Sequence, residues 1–472
     1  MRDYDVAIIG GGPAGLFAAI ELTKLRNDLK IALFEKGGRV TERKCPIAIK
    51  SPDWWRSPAN VVNCKTCGIC HVLHGIGGAG TFSSGIINLR PDVGGDLDKL
   101  LGSWEAAEEV IKRVDEFFLE FGAPQDSLFT PDPKRAKHIE KLAAKAGAKY
   151  IPTPQRILGT EVVIKIVDNI TSYLEDKGVK IYSFTSVEDV ERGEGGFKLK
   201  TNRGEFHARK LLIAPGRGGA DWLRKIAEKL GVDIKPGVLD AGVRVEVPHY
   251  ITEHVTSINY DPKIIMYTKT YDDMVRTFCT NPQGFVIKEY YVDGTVGVNG
   301  ESYREIKTKN TNFALLVRLR LTDPYTDVLE LGKSIARMAT RVGVGKPIIQ
   351  RLGDLEKGRR STWERIARST ITPTLRDATP GDISLVMPHR VLANILEAIS
   401  RLDIIYPGIA SPQTLIYAPE IKYYSVAVEV NRDMETNIEG LYVAGDGAGL
   451  SRGINGAAAT GIIAARSIAA TL

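Results

Sequence analysis

Gly10, Gly12 and Gly15 follow the apolar run Tyr4–Ile9 as a G-x-G-x-x-G turn, and a second apolar run, Lys30–Phe34, ends in Glu35 and Lys36. These spacings can cradle a pyrophosphate. Gly10 permits the tight turn, Gly12 lets the backbone approach the phosphates, and Gly15 lets the next helix lie close to its sheet. Pro13 and Ala14 begin that helix, whose free N–H groups and dipole favour negative charge. Glu35 is placed to accept both hydroxyls of an adenosine ribose. The strand–turn–helix–strand context predicts an adenine dinucleotide, with a degenerate, ligand-free unit as the alternative. Near the other end, Gly445-Asp446-Gly447-Ala448-Gly449 makes a second anion-friendly turn, and Gly453-Ile454-Asn455 opens a small-residue helix. Asp446 could bond a sugar-like hydroxyl or serve only as a turn aspartate.

The second chemically loaded stretch is Cys64-x-x-Cys67-x-x-Cys70-His71, with Cys45-Pro46 upstream and His74 downstream. Four thiolates suit a [4Fe–4S] cluster or tetrahedral zinc. The C-x2-C-x2-C run begins a known cluster-ligand pattern whose Cys-Pro supplies a distant ligand, although here the Cys-Pro comes first. His71 or His74 could replace a ligand. Cys64 and Cys67 also have the spacing of a redox-active dithiol, and metal-free buried thiols remain a fourth reading. Cys279 stands alone between β-type runs, where a packed thiol is the ordinary outcome.

The elements that must position these groups follow from periodicity. Residues 36–62 leave the regular pattern, broken by Gly37, Gly38, Pro46, Pro52 and Pro58 around Trp54 and Trp55. Helical patterns span 97–121, 134–147 and 161–177. Strands are expected at 179–184, 197–201 and 205–213, the last returning to the nucleotide sheet and ending in Ala214-Pro215-Gly216. Short β-type runs crowd 243–300 and recur at 313–319, with helices near 327–342 and 387–400. The fold class is α/β: a Rossmann-type nucleotide-binding domain with a second, mixed α/β substrate or cap domain. The boundaries are 1–242 (with a cysteine-rich insert at about 40–90 and a helical segment), 243–428, and a C-terminal return at 429–472.

The chain has 472 residues, enough for two domains, and its 47 glycines cluster in short turns. A formal charge of +6 on a mixed surface argues against a nucleic-acid footprint. No stretch is an uninterrupted membrane span, and the first strand begins at once, so a cytoplasmic protein is expected.

With both ends in view, the chain resembles the flavoproteins that include glutathione reductase, p-hydroxybenzoate hydroxylase and geranylgeranyl reductase. Within them it is similar to an incompletely characterised family of FAD-dependent dehydrogenases. That family carries a cysteine-containing insert, then G-G-A-G-x-F-S-D-G-K. Here Gly77-Gly78-Ala79-Gly80-Thr81-Phe82-Ser83-Ser84-Gly85-Ile86 has Ser84 for the aspartate and Ile86 for the lysine. The family's later C-P-G-G turn is Asn281-Pro282-Gln283-Gly284, with Cys279 just ahead. The resemblance implies FAD held by Gly10, Gly12, Pro13, Ala14, Gly15, Glu35, Lys36, Gly78, Ala79, Gly80, Thr81, Ala214, Gly216, Gly445, Asp446, Gly453, Ile454 and Asn455. It puts the turn after Cys279 near the reacting centre. Cys279, Tyr424 and Arg244 are the catalytic candidates, with His249, Tyr267, Lys269 and Glu301 as further polar groups. Cys45, Cys64, Cys67 and Cys70 are the metal candidates, for iron–sulfur or zinc.

The expected function is an FAD-dependent oxidoreductase that exchanges hydride or electrons between a small organic substrate and flavin N5, with an iron–sulfur or thiol relay. An electron-carrier partner and a homodimer are compatible with it. The competing readings are a flavin-dependent tRNA-modifying enzyme, which would need a continuous basic groove, and a protein that holds FAD without turnover.

Overall fold

Two kinds of apolar pattern build the two largest sheets among the described residues, one from continuous runs and one from alternating ones. The computed structural model describes residues 2–43, 69–82, 85–291, 293–303, 306–320, 327–423 and 426–472. At the centre of the first sheet, Arg2–Ile9 runs parallel to Ile31–Phe34 on one side and Gly204–Ile213 on the other. Lys180–Tyr182 extends the sheet beyond Ile31–Phe34. Leu441–Val443 pairs in parallel with the end of Gly204–Ile213, whose beginning pairs antiparallel with Gly196–Thr201. Val6, Ile8, Leu33 and Leu212 on one face and Ala7, Ala32, Phe34 and Leu211 on the other are all buried, as strands covered on both faces require.

Helices Pro13–Leu25 and Ile454–Thr471 lie side by side against one face of this sheet, in one core with Trp104–Glu120 and Thr160–Asp176. The approach of the first two is very close: a Cβ on Gly461 would stand 2.1 Å from the Ala14 carbonyl oxygen. The helix expected over 97–121 is two, Leu97–Leu101 and Trp104–Glu120. Gly102 turns left-handed between them (φ 69°), and Ser103 Oγ caps the second by accepting from Ala106 N at 3.1 Å.

The second sheet has eight strands in the order Thr379–Pro380, Ile348–Arg351, Leu415–Tyr423, Leu239–Pro248, Asn310–Leu319, Met274–Asn281, Lys263–Tyr267 and Ala148–Ile151. Strand Leu239–Pro248 alternates strictly, so its side chains divide between two faces. Leu239, Ala241, Val243, Val245 and Val247 enter an apolar core with helices Val328–Val342 and His389–Leu402. Asp240, Arg244 and Glu246 point the other way, yet each is fully buried.

Buried charges persist only with partners, and these have them. Arg244 meets Glu420 through two bonds of 2.7 and 2.9 Å. Asp240 accepts from Arg276 at 2.7 Å and Arg318 at 3.1 Å. Glu246 accepts from the Tyr417 hydroxyl at 2.6 Å. A hairpin, Phe285–Tyr290 with Val296–Glu301, covers this polar face. At Gly300 a Cβ would sit 2.1 Å from Asn281 Nδ2 and 2.2 Å from Arg244 Nη1, so a larger residue there must displace these side chains.

The chain thus forms a Rossmann-type α/β unit and a second mixed α/β unit. Among the described residues no helix is long and apolar enough to cross a membrane.

Candidate cofactor and substrate cavity

A cavity of about 590 Å³ runs from the first glycine turn to the polar face of the second sheet. Of the expected cofactor residues it is lined by Gly10, Gly12, Pro13, Ala14, Glu35, Lys36, Gly78, Ala79, Gly80, Ala214, Gly216, Gly445, Asp446, Gly453, Ile454 and Asn455. Gly15 and Thr81 do not line it. Gly15 is pressed against the Gly10 carbonyl, where a Cβ would lie 2.0 Å from the oxygen. Thr81 is fully buried beneath the loop, and its hydroxyl accepts from Arg43 at 3.1 Å.

Two helices point uncapped N-termini into this space. Pro13–Leu25 and Ile454–Thr471 have glycine N-caps, no side-chain cap and no acidic residue in the first turn. Their first N–H groups therefore suit an anion or a ring carbonyl. A Cβ on Gly216 or Gly453 would meet nothing within 4 Å, and on Gly12 nothing nearer than Gly78 Cα at 3.8 Å, so the cradle is open where a ligand would lie. Asn455 is buried with neither its Oδ1 nor its Nδ2 bonded, and buried His74 has no partner for Nε2. Orphaned polar atoms around an open, glycine-lined cradle fit a large polar ligand such as FAD.

Glu35 is held rigidly. Its Oε2 accepts from Gly11 N at 2.9 Å, and its Oε1 from Gly37 N at 2.8 Å and Gly75 N at 3.0 Å. The chain's own amides thus use most of the acceptor capacity expected for two ribose hydroxyls. Burial lowers the Lys36 ammonium pKa and pushes His74 down to about 3, with Lys36 and Arg43 adding to the latter, so His74 is neutral. Asp446 accepts from Ser451 Oγ at 2.7 Å and Gly453 N at 3.1 Å, while burial raises its carboxyl.

Sequence reasoning missed Arg43. Its guanidinium donates to the carbonyls of His71, Val72, Ile76 and Gly78 at 2.8 to 3.0 Å and stacks 4.6 Å from the Phe82 ring centre. It thereby holds the glycine loop against the first turn, where Gly77 N donates to Gly11 O at 2.7 Å. Burial brings its pKa down to about 10, still fully charged at neutral pH. Nothing in its local sequence marks this, because its acceptors are backbone atoms brought in by folding.

The far wall comes from the second sheet and its hairpin. Phe278, Cys279, Lys263, Asp261, Glu289, Tyr291, Asn299 and Lys422 line it. Lys263 pairs with Asp261, whose Oδ1 accepts from Thr280 N at 2.8 Å. Cys279 has left-handed φ (49°), which turns the strand end into the cavity. Arg244 does not line the cavity. It is buried, donates to the Cys279 carbonyl at 3.2 Å and is otherwise bound to Glu420, Asn312 and Asn299. Tyr424 lies outside the described residues, as do Cys45, Cys64 and Cys67, so only Cys70 of the expected thiolate set is described. Its carbonyl accepts from His74 N at 3.0 Å. Among the described residues no three His, Cys, Asp or Glu side chains form a metal-ligand group. His249 and Tyr267 do not line the cavity, and neither does Glu301.

Three families match parts of the chain: FAD-dependent protein, C-terminal domain-like, over residues 240–422; pyridine nucleotide-disulphide oxidoreductase, over 4–91; and glucose inhibited division protein A, over 375–472. An uncharacterised protein of Clostridium beijerinckii is 26% identical over 98% of this chain and 80% of its own length. Glycine oxidase of Geobacillus kaustophilus is 25% identical over 49% of this chain and 58% of its own. Among solved structures, pyridoxine 4-oxidase from Mesorbium loti aligns over 99% of this chain and 98% of its own, with 11% identity and a TM-score of 0.43.

Proposed function

We propose that this chain, an FAD-dependent oxidoreductase of the glutathione-reductase and p-hydroxybenzoate-hydroxylase-like flavoproteins, seats its substrate between the N-terminus of helix Ile454–Thr471 and the polar face of the second sheet. The observation that carries the reading is one continuous cavity, lined at one end by the Gly10–Pro13 turn and at the other by Phe278, Lys263 and Lys422. Bound there, FAD supplies hydride and electron chemistry at its ring.

The chain's own residues bind and orient. In this reading Glu35 takes a ribose hydroxyl with its remaining acceptor capacity, and the start of helix Pro13–Leu25 takes the phosphates. Asp446 meets the linker hydroxyls, and Asn455 bonds the ring edge. Phe278 and the covering hairpin exclude water from the reacting end. Arg244 acts as a positioning residue, fixing the Cys279 backbone through its carbonyl. We further propose that Cys45, Cys64, Cys67 and Cys70 supply thiolates to an iron–sulfur cluster, a reading supported by spacing alone. About four irons per chain in anaerobically purified protein is the expected count, and iron-free protein of full activity overturns it.

The central test is anaerobic reduction of the bound flavin by a panel of small amines, alcohols and hydroxy or amino acids, followed as loss of absorbance near ~450 nm. Phe278→Trp fills the proposed seat from the side away from the nucleotide turns. It should slow reduction by any active compound at least tenfold at unchanged flavin content. Unchanged reduction rates in that variant would place the substrate elsewhere.

A further inference from the structure

The wall opposite the helix N-termini holds an ammonium group with spare donors. Lys422 is 1% exposed and lines the cavity. A lysine ammonium carries three donors, yet Lys422 Nζ makes one ion pair, 3.0 Å from Glu420 Oε1, and no well-aligned hydrogen bond. Glu420 is itself engaged, since both of its oxygens accept from Arg244.

Of the other carboxylates, Asp240 and Asp261 are held in ion pairs, whereas Glu289 and Asp293 accept only from neutral donors. Asp240 serves Arg276 and Arg318, Asp261 serves Lys263 and Thr280 N, and Glu289 accepts from Asn299 Nδ2 at 2.6 Å and the Tyr291 hydroxyl at 3.3 Å. Burying ammonium donors without acceptors is costly, so the geometry leaves room for one more acceptor on the cavity side. Beside it lies a flat apolar surface: the Phe278 ring centre is 6.0 Å from Lys422 Nζ and 5.8 Å from Lys263 Nζ. The Arg276 guanidinium, held by Asp240, lies 4.6 Å from the same ring centre. A ring with three cations around it, two of them lining the cavity, matches a small molecule with an apolar body and an anionic end.

We propose that Lys422 anchors the carboxylate of a small organic acid whose apolar body lies on Phe278, so that the substrate class is a monocarboxylate. This rests on the substrate seat proposed above. Lys263, neutralised by Asp261, plays the lesser part.

The test uses FAD-loaded protein and two probes of one shape, phenylacetate and phenylacetamide. Each is titrated calorimetrically and by the flavin difference spectrum. Both carbonyls can accept from the ammonium, but only the acid brings an opposite charge, which should make phenylacetate bind about tenfold tighter or more. Lys422→Met should erase that preference, weakening acid binding far more than amide binding at retained FAD content, and Lys263→Met should reduce it less. Equal affinity for acid and amide in the unaltered protein overturns the assignment of Lys422 and leaves the seat standing. Binding of neither probe overturns the seat and this inference with it. Loss of FAD affinity in Lys422→Met, with acid preference retained in its FAD-loaded fraction, reassigns the lysine to the cofactor. The comparison of probes in the unaltered protein decides the matter even where a variant fails to fold.

Discussion

Arg43 concentrates more of the cavity's architecture in one side chain than any glycine does. Its guanidinium satisfies four loop carbonyls and the Thr81 hydroxyl. Lysine keeps the charge but not the planar fork that spans these acceptors. Arg43→Lys should therefore strand several buried carbonyls, cost about 3 kcal/mol of stability, and weaken FAD binding at least tenfold. Urea midpoints and fluorescence titration of the apoprotein check both.

Glu301 offers a second residue-scale test. It accepts from Thr160 Oγ1 at 3.1 Å, joining the hairpin to the helix that starts at Thr160, and burial pushes its carboxyl from 4.5 up to about 7. Between those values the folded chain binds more protons than the unfolded one, so stability falls as pH rises through the interval. The contribution present below pH 4.5 and lost by about pH 7 is on the order of 3 kcal/mol. Glu301→Gln should lack this fall, and the unaltered protein should lose stability relative to it across that window. Parallel pH profiles for the two would show that Glu301 does not titrate there.

At the scale of elements, the seat depends on two helices packed backbone to backbone. With the Ala14 carbonyl 2.1 Å from a Cβ at Gly461, Gly461→Val must push helix Ile454–Thr471 away from Pro13–Leu25. Overpacking of this kind costs about 1–3 kcal/mol. It would also move the N-termini that face the cavity, so the variant should purify with less FAD and a lower melting temperature. Full flavin content would mean the pair is not what sets the cradle.

Such elements were legible because a glycine turn with continuous apolar runs has few other solutions, and strands Arg2–Ile9 and Ile31–Phe34 could be read directly. Strand Leu415–Tyr423 was not. Pro419 interrupts its pattern, and a proline cannot donate to a ladder, so nothing in the stretch that carries Glu420 and Lys422 signals a strand. Arg244 was legible as a polar residue in a strand but not as a buried one, since its partner Glu420 is remote in sequence. The break at Gly102 was hidden by helical periodicity on both sides. For the seat, the nucleotide end could be read from glycines, whereas the far wall depends on long-range pairing.

On the scale of the whole molecule, two sheets meet at one cavity. The first is packed in apolar clusters on both faces, and the second has its main core on the face turned away from the cavity. Between them lie the polar face, the hairpin and the Thr160–Glu301 bond rather than a continuous apolar interface. Polar contacts of this kind give modest docking energy, so a ligand touching both walls should add substantially to it. FAD at a hundredfold excess over its Kd stabilises any unit that must be folded to bind it by about 2.7 kcal/mol. If only the first sheet contributed to binding, that gain would appear only there. The cavity is lined from both sheets, so saturating FAD should slow the slowest-exchanging amides of Arg2–Ile9 and of Leu239–Pro248 alike, because those amides report unfolding of their own unit. About a hundredfold slowing in both strands is the expected result of hydrogen exchange with and without FAD. Slowing confined to Arg2–Ile9 would mean that the second unit closes the cavity without sharing in the binding.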